Sequence, residues 1–234
     1  RMVHETMAPP GFREGQGERV NCLATVNVVQ MRGITKTFGA VVANHKVDLD
    51  IRQGEILSLL GENGSGKTTL LSLLAGLDLP VSGDIFYEGS SLKELNRDQY
   101  RRQEVSVIYQ AFHLFPLLNA LENVMYPMEL NHKKGKEAAQ TAKELLRRVG
   151  LPESIEKQLP ARMSGGEQQR VAIARALASQ AKVILADEPT GNLDSENGQN
   201  IVEILLALAH EEGKCVIIIT HDEEIAGKAD VVYT

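Results

Sequence analysis

The segment Gly61-Glu62-Asn63-Gly64-Ser65-Gly66-Lys67-Thr68 has the residue types that hold a polyphosphate, at the spacing Gly-x4-Gly-Lys-Thr. Its glycines let the backbone curl so that successive N–H groups point at one phosphate chain. Lys67 would reach the β- and γ-phosphates of a nucleoside triphosphate, and the Thr68 hydroxyl would ligate magnesium. Thr69 completes the candidate contact set. The flanks agree with this reading. Glu55 to Leu60 is a short apolar run that predicts a buried strand, and Thr68 to Ala75 predicts a helix whose positive end faces the phosphates.

A second group of residues is the expected partner of such a loop. Val183-Ile-Leu-Ala-Asp187-Glu188 predicts a buried strand ending in two carboxylates, at the edge where α/β sheets place ligands. Alternation along a strand sends neighbouring side chains to opposite faces, so the two acids take different tasks. Asp187 can hold magnesium through water, and Glu188 can polarise a water beside the γ-phosphate.

Met163-Ser164-Gly165-Gly166-Glu167 supplies a third group. Ser and two glycines open a helix whose apolar positions are Val171, Ala174, Leu177 and Ala178, which makes a second phosphate nest. One nucleotide does not need two nests from the same chain. Two copies arranged head to tail would, each loop facing the other copy's Ser-Gly-Gly helix.

The secondary structure around these groups can be read in outline. Short apolar strands alternate with helical patterns, which predicts an α/β fold with a mostly parallel sheet covered on both faces. Asn119, with Glu122 three residues on, marks a helix start. Lys136 to Val149 is helical by pattern and is stopped by Gly150. The middle of the chain, about 90–165, is expected to form a helical subdomain. Residues 1–20, broken by Pro9, Pro10 and Gly11, are expected to be a flexible leader or remnant, with the nucleotide-binding domain running over 21–234.

With 234 residues, 43% hydrophobic and 24% charged, the composition is that of a globular protein with a sizeable core. No apolar run is long enough to span a bilayer. A net charge of −6, an aromatic content of 4% and the lack of Trp argue against nucleic acid as a partner. Cys22 and Cys215 form no Cys-x-x-Cys pair, and Cys215 lies in an apolar strand, as a buried reduced thiol would.

Taken in order, these motifs resemble those of the ATP-binding subunits of ABC transporters, from about residue 30 to the end. The phosphate loop, a glutamine loop at Gln110, the signature at 163–167, the Asp-Glu strand, Gly191-Asn-Leu-Asp194 and Thr220-His221-Asp222 stand in the family's order. The resemblance implies the P-loop NTPase core of the ABC ATPase fold, with an antiparallel β part near the N-terminus. It implies ATP and Mg2+ as cofactors, ATP hydrolysis, a second copy as ATP-dependent dimer partner, a separate membrane permease, and a peripheral place on the cytoplasmic face of the inner membrane.

It also implies residue roles. Phe38 would stack on adenine, where the family more often has Tyr. Gln110 would contact magnesium and the attacking water. Asp194 would cross the dimer interface, and His221 would hold the γ-phosphate and help position water and Glu188. Two departures stand out. Met163 replaces the usual Leu, and the chain stops at Thr234, where relatives usually continue, which would leave a final strand edge exposed. Residues 110–124 resemble the coupling segment of the lipoprotein-release and macrolide-export group. A cell-division relative (FtsE-like) shares much of this wording, and residues 32–55 look more like importer ATPases. The same motifs would serve a regulatory ATPase of a cell-envelope complex.

Overall fold

The computed structural model describes residues 4–5, 26–133, 135–191 and 193–234. Cys22, Asn192 and most of the expected leader therefore lie outside the described residues.

Two sheets organise the chain. The larger is six-stranded, in the order β1 (His4–Glu5), β10 (Val231–Tyr233), β4 (Ile56–Leu60), β9 (Cys215–Thr220), β8 (Val183–Asp187) and β7 (Val105–Ile108). All its pairings are parallel except β1 with β10. Strands β4, β8 and β9 are almost wholly buried, which is why their sequences read as continuous apolar runs instead of alternating ones. The last strand, β10, is not an edge: β4 pairs with it on one side and β1 on the other. The exposed final edge expected from the sequence is thus filled by two residues of the N-terminal segment.

The smaller sheet is antiparallel, in the order β3 (Val41–Arg52), β2 (Asn27–Phe38), β5 (Ser82–Tyr87) and β6 (Ser90–Ser91). β2 and β3 form a long hairpin closed by Gly39 and Ala40, with Phe38 opposite Val41. Gly39 has φ +58, the left-handed backbone that a tight hairpin turn demands.

One core cluster joins the hairpin sheet to α1 (Lys67–Leu74) and one face of the large sheet. Met31, Ile51, Leu57, Leu70, Leu73, Ile85 and Ile217 belong to it. The other cluster joins the opposite face to the helices α3 (Ala120–Leu130), α4 (Lys136–Arg148), α5 (Gly165–Ala178) and α6 (Ser195–His210). The short helices α2 (Arg97–Gln103) and α7 (Glu223–Ala226) complete the set. Helix starts follow the sequence. Asn119 and Glu122 form a reciprocal capping box on α3, and Gly150 ends α4 with φ +74. Cys215 is a buried free thiol whose Sγ lies 3.1 Å from the Arg52 carbonyl; burial pushes its pKa up to about 12.

Candidate active site

Four parallel strands deliver the candidate residues to one end of the large sheet. The phosphate loop follows β4, Gln110 lies just beyond β7, Glu188 follows β8, and His221 follows β9. The register pairs Leu60 with Thr220 and Asp187 with Ile219. The carboxyl ends therefore finish nearly level, as open α/β sheets do at their ligand sites.

A cavity of about 260 Å³ opens there. The loop contributes Asn63, Gly64, Gly66, Lys67, Thr68 and Thr69, the strand ends contribute Gln110, Asp187 and Glu188, and β3 contributes Val41 to Ala43. The helix behind the loop suits an anion. Its N-cap is Gly66, at φ 92, with no side-chain cap and no acidic residue in the first turn. The first-turn N–H groups thus face the cavity without competition from a side chain. The β-hairpin seats directly on this turn. A Cβ on Gly66 would lie 2.3 Å from the Ala43 carbonyl oxygen, and Asn44 Nδ2 donates to the Gly66 carbonyl at 3.2 Å. Lys67 Nζ donates to the carbonyls of Gly61 and Glu62, at 2.6 and 2.7 Å, and lies 3.2 Å from Ser65 Oγ.

The two acids differ in surroundings. Burial and the neighbouring Glu188 charge raise the Asp187 pKa, against the opposing pull of Lys67 and a hydrogen bond with Thr68. The Thr68 hydroxyl, the Asp187 carboxylate and the Gln110 amide are hard oxygen donors at one cavity wall, the chemistry that suits magnesium. Glu188 is buried, and its Oε1 lies 2.6 Å from His221 Nδ1 and its Oε2 3.5 Å from Thr220 Oγ1. Strand alternation does not explain this difference. β8 ends at Asp187, and Glu188 has φ +47, a left-handed conformation uncommon outside glycine. The turn aims both carboxylates at the same cavity, and their hydrogen-bond partners separate them.

The remaining candidates lie elsewhere. Ser164 caps α5 in a reciprocal box: Glu167 N–H donates to Ser164 Oγ at 3.3 Å, and Ser164 N–H donates to Glu167 Oε2 at 2.7 Å. Neither Ser164, Gly165, Gly166 nor Glu167 lines the phosphate-loop cavity. Asp194 caps α6, accepting from the Asn197 backbone and side chain; these bonds hold its pKa below the usual carboxylate value. Phe38 is exposed at the end of β2, cross-strand from the cavity-lining Val41.

Sequence reasoning missed several supporting residues. Asn44 and Lys36 brace the hairpin, and Arg175 of α5 donates to the carbonyls of His113 and Phe112 at 2.6 and 3.1 Å. A cation in the apolar run Val171 to Ala178 was the available signal for Arg175. Fully buried Asn123 bonds both ways with Phe115 and donates to the carbonyls of Leu118 and Asn119.

Comparison with known proteins identifies the family. Residues 44–191 match the family model described as ABC transporter. A lipoprotein-releasing system ATP-binding protein, LolD, of Idiomarina loihiensis is 45% identical over 183 residues, covering 77% of this chain and 80% of that protein. An uncharacterized ABC transporter ATP-binding protein of Bacillus subtilis, YclH, is 42% identical over 185 residues, covering 79% and 82%. A bacterial ABC transporter cassette solved as a dimer superposes with a TM-score of 0.82 at 38% identity, over 87% of this chain and 92% of that one. The same cassette in a post-hydrolysis state bound to ADP and Pi gives 0.83 at 37% identity, with the same coverage. The chain therefore belongs to the ABC transporter family, as one of its ATP-binding, ATP-hydrolysing subunits.

Proposed function

We propose that this chain is the motor ATPase of a transporter whose permease is a separate chain, of the lipoprotein-release or macrolide- and peptide-export type. One observation carries the catalytic part: the phosphate loop, Gln110, Asp187 and Glu188 line a single cavity. Bound Mg-ATP supplies the phosphoryl group and the cation that draws charge from it. The N–H groups of residues 63–69 and the Lys67 ammonium bind and orient the phosphates. Thr68, Asp187 and Gln110 are the residues that would hold the metal. Glu188 accepts the proton of the attacking water, with His221 fixing its carboxylate and reaching toward the γ-phosphate. Phe38 carries the base.

The same reading gives Ser164, Gly165, Gly166, Glu167 and Asp194 to the site of a second copy. Their self-capped, separate position supports that assignment, as does the dimeric state of the related cassette. The permease contact falls on a groove of about 380 Å³, whose walls include Leu77, Arg101, Tyr109, Phe115, Tyr126 and Leu130. Asn123 holds Phe115 of this wall through two hydrogen bonds, and Arg175 ties the groove to the signature helix. No described helix is long and apolar enough to cross a membrane. A peripheral place on the cytoplasmic face is part of this reading, and membership of the family supports it. The export-type assignment is supported by the LolD relatives.

The test is Glu188→Gln. It keeps shape and hydrogen bonding but removes the base, so turnover falls by about 100-fold or more while ATP binding and ATP-dependent dimerisation persist. Normal turnover in that variant would sink the catalytic assignment. Co-purification with a permease that has a large extracytoplasmic domain, and substrate movement in reconstituted vesicles, test the transport type.

A further inference from the structure

Lys36 is a cation placed where lysines are seldom found. Only 9% of it is exposed. Its Nζ lies 2.7 Å from Asp78 Oδ2 and donates to the Leu79 carbonyl at 2.9 Å. The same ammonium sits 5.3 Å from the centroid of the Phe38 ring. Asp78 and Leu79 belong to the loop that follows α1, the helix of the phosphate loop, and the Lys36 bond holds the Asp78 carboxyl below the usual carboxylate value. Val81 N–H donates to the Thr35 carbonyl at 2.8 Å, so the same loop is tied to β2 a second time. Lys36 thus connects the far end of the phosphate-loop helix to the ring at the tip of the hairpin.

We propose that Lys36 is a positioning and specificity residue for the nucleotide base. It rests on the reading of Phe38 as the base platform and deepens it. The Phe38 side chain stands largely in solvent, with Asp78-anchored Lys36 over its ring. Phenylalanine has no hydroxyl with which to fix its own orientation, so the ammonium supplies that restraint by cation–π attraction. A ring polarised by a cation on one side presents an electron-poor surface on the other, the better partner for an electron-rich purine. The ligand class is a purine nucleotide whose base stacks on Phe38, and Lys36 acts only through that ring.

The experiment compares a ligand that has a base with one that has none. Calorimetry on the full chain with magnesium measures binding of ADP and of inorganic tripolyphosphate to wild type, Lys36→Met, Lys36→Arg, Asp78→Asn and Phe38→Ala. Lys36→Met is expected to weaken ADP by about five- to tenfold, from the size of a partly desolvated cation–π contact, and to leave tripolyphosphate unchanged. Lys36→Arg restores ADP binding, because the guanidinium keeps the charge over the ring. Asp78→Asn, a change at an exposed partner, weakens ADP in the same sense by a smaller factor. Equal weakening of both ligands by Lys36→Met would make Lys36 a structural brace and overturn the proposal, as would unchanged ADP binding. Should Lys36→Met not fold, Asp78→Asn decides alone, and a wild-type ratio of the two affinities overturns it. Phe38→Ala separates the two readings. If it leaves ADP binding intact, the platform itself is wrong; if it weakens ADP selectively while the Lys36 variants do not, only the role of Lys36 fails.

Discussion

Two helix starts in this chain look alike in sequence and differ in structure. The Ser65-Gly66 start of α1 and the Ser164-Gly165-Gly166 start of α5 both place small residues before a helix. At α1 the N-cap is a glycine at φ 92, no side chain caps the turn, and the cavity in front holds a lysine and two carboxylates. At α5 a serine caps the turn, a glutamate closes the box, and the start is exposed. The first has no side-chain cap and leaves its N–H groups open to the cavity. The second satisfies itself with its own capping box and lines no part of the phosphate-loop cavity. Glycine serves different ends at the two places. Gly66 is required by both φ and space, since a Cβ would press on the Ala43 carbonyl. Gly166 has an ordinary φ, and its Cβ would meet only the flexible end of Leu193 at 3.3 Å.

This contrast can be broken in steps. The largest effect is expected from Gly66→Ala, which forces the hairpin off the loop: nucleotide binding to the isolated chain should fall by about tenfold or more, read by calorimetry. Gly166→Ala should leave that binding within about twofold, because its contact can move aside. If the two behaved alike, the distinction between the helix starts would be lost.

Asp187→Asn comes next. The Asp187 pKa is raised in the folded chain, so the native state holds more protons than the unfolded one between the ordinary carboxylate value and the raised one. Stability of the ligand-free protein therefore falls as pH rises through that window. Removing the charge should raise Tm by about 2 °C, a small gain because the group is only partly buried, while the magnesium dependence of nucleotide binding weakens. A lowered Tm in the ligand-free variant would contradict the burial and like-charge strain on Asp187.

The smallest effect on nucleotide binding is expected from Ser164→Ala. Loss of the cap should cost about 1 kcal/mol, or about 2–4 °C in Tm, with nucleotide binding by the single chain unchanged. ATP-dependent dimerisation, read by light scattering in a Glu188→Gln background, should weaken. A loss of single-chain binding would place Ser164 in the wrong site.

Much of the fold and site was legible because the responsible interactions are local. A phosphate loop binds through its own backbone, so Gly61 to Thr68 carry their meaning in eight consecutive residues. The same is true of the caps at Asn119 and Ser164, where side chain and partner lie three residues apart. The buried strands declare themselves by continuous apolar runs, and parallel order then brings their carboxyl ends to one edge.

What was not legible depends on contacts between distant segments. Asn44 meets Gly66, Lys36 meets Asp78, and Arg175 reaches back to residues 112 and 113. No periodicity announces such bonds, because backbone carbonyls are present at every position and only packing decides which one a side chain can reach. Glu188 shows the boundary most clearly. Residue order alone puts two acids at the end of a buried strand downstream of a phosphate loop. Only the tertiary structure turned the second acid through a left-handed residue into the same cavity and against His221, because φ at a strand end is set by what the chain must pack upon and not by the residue alone.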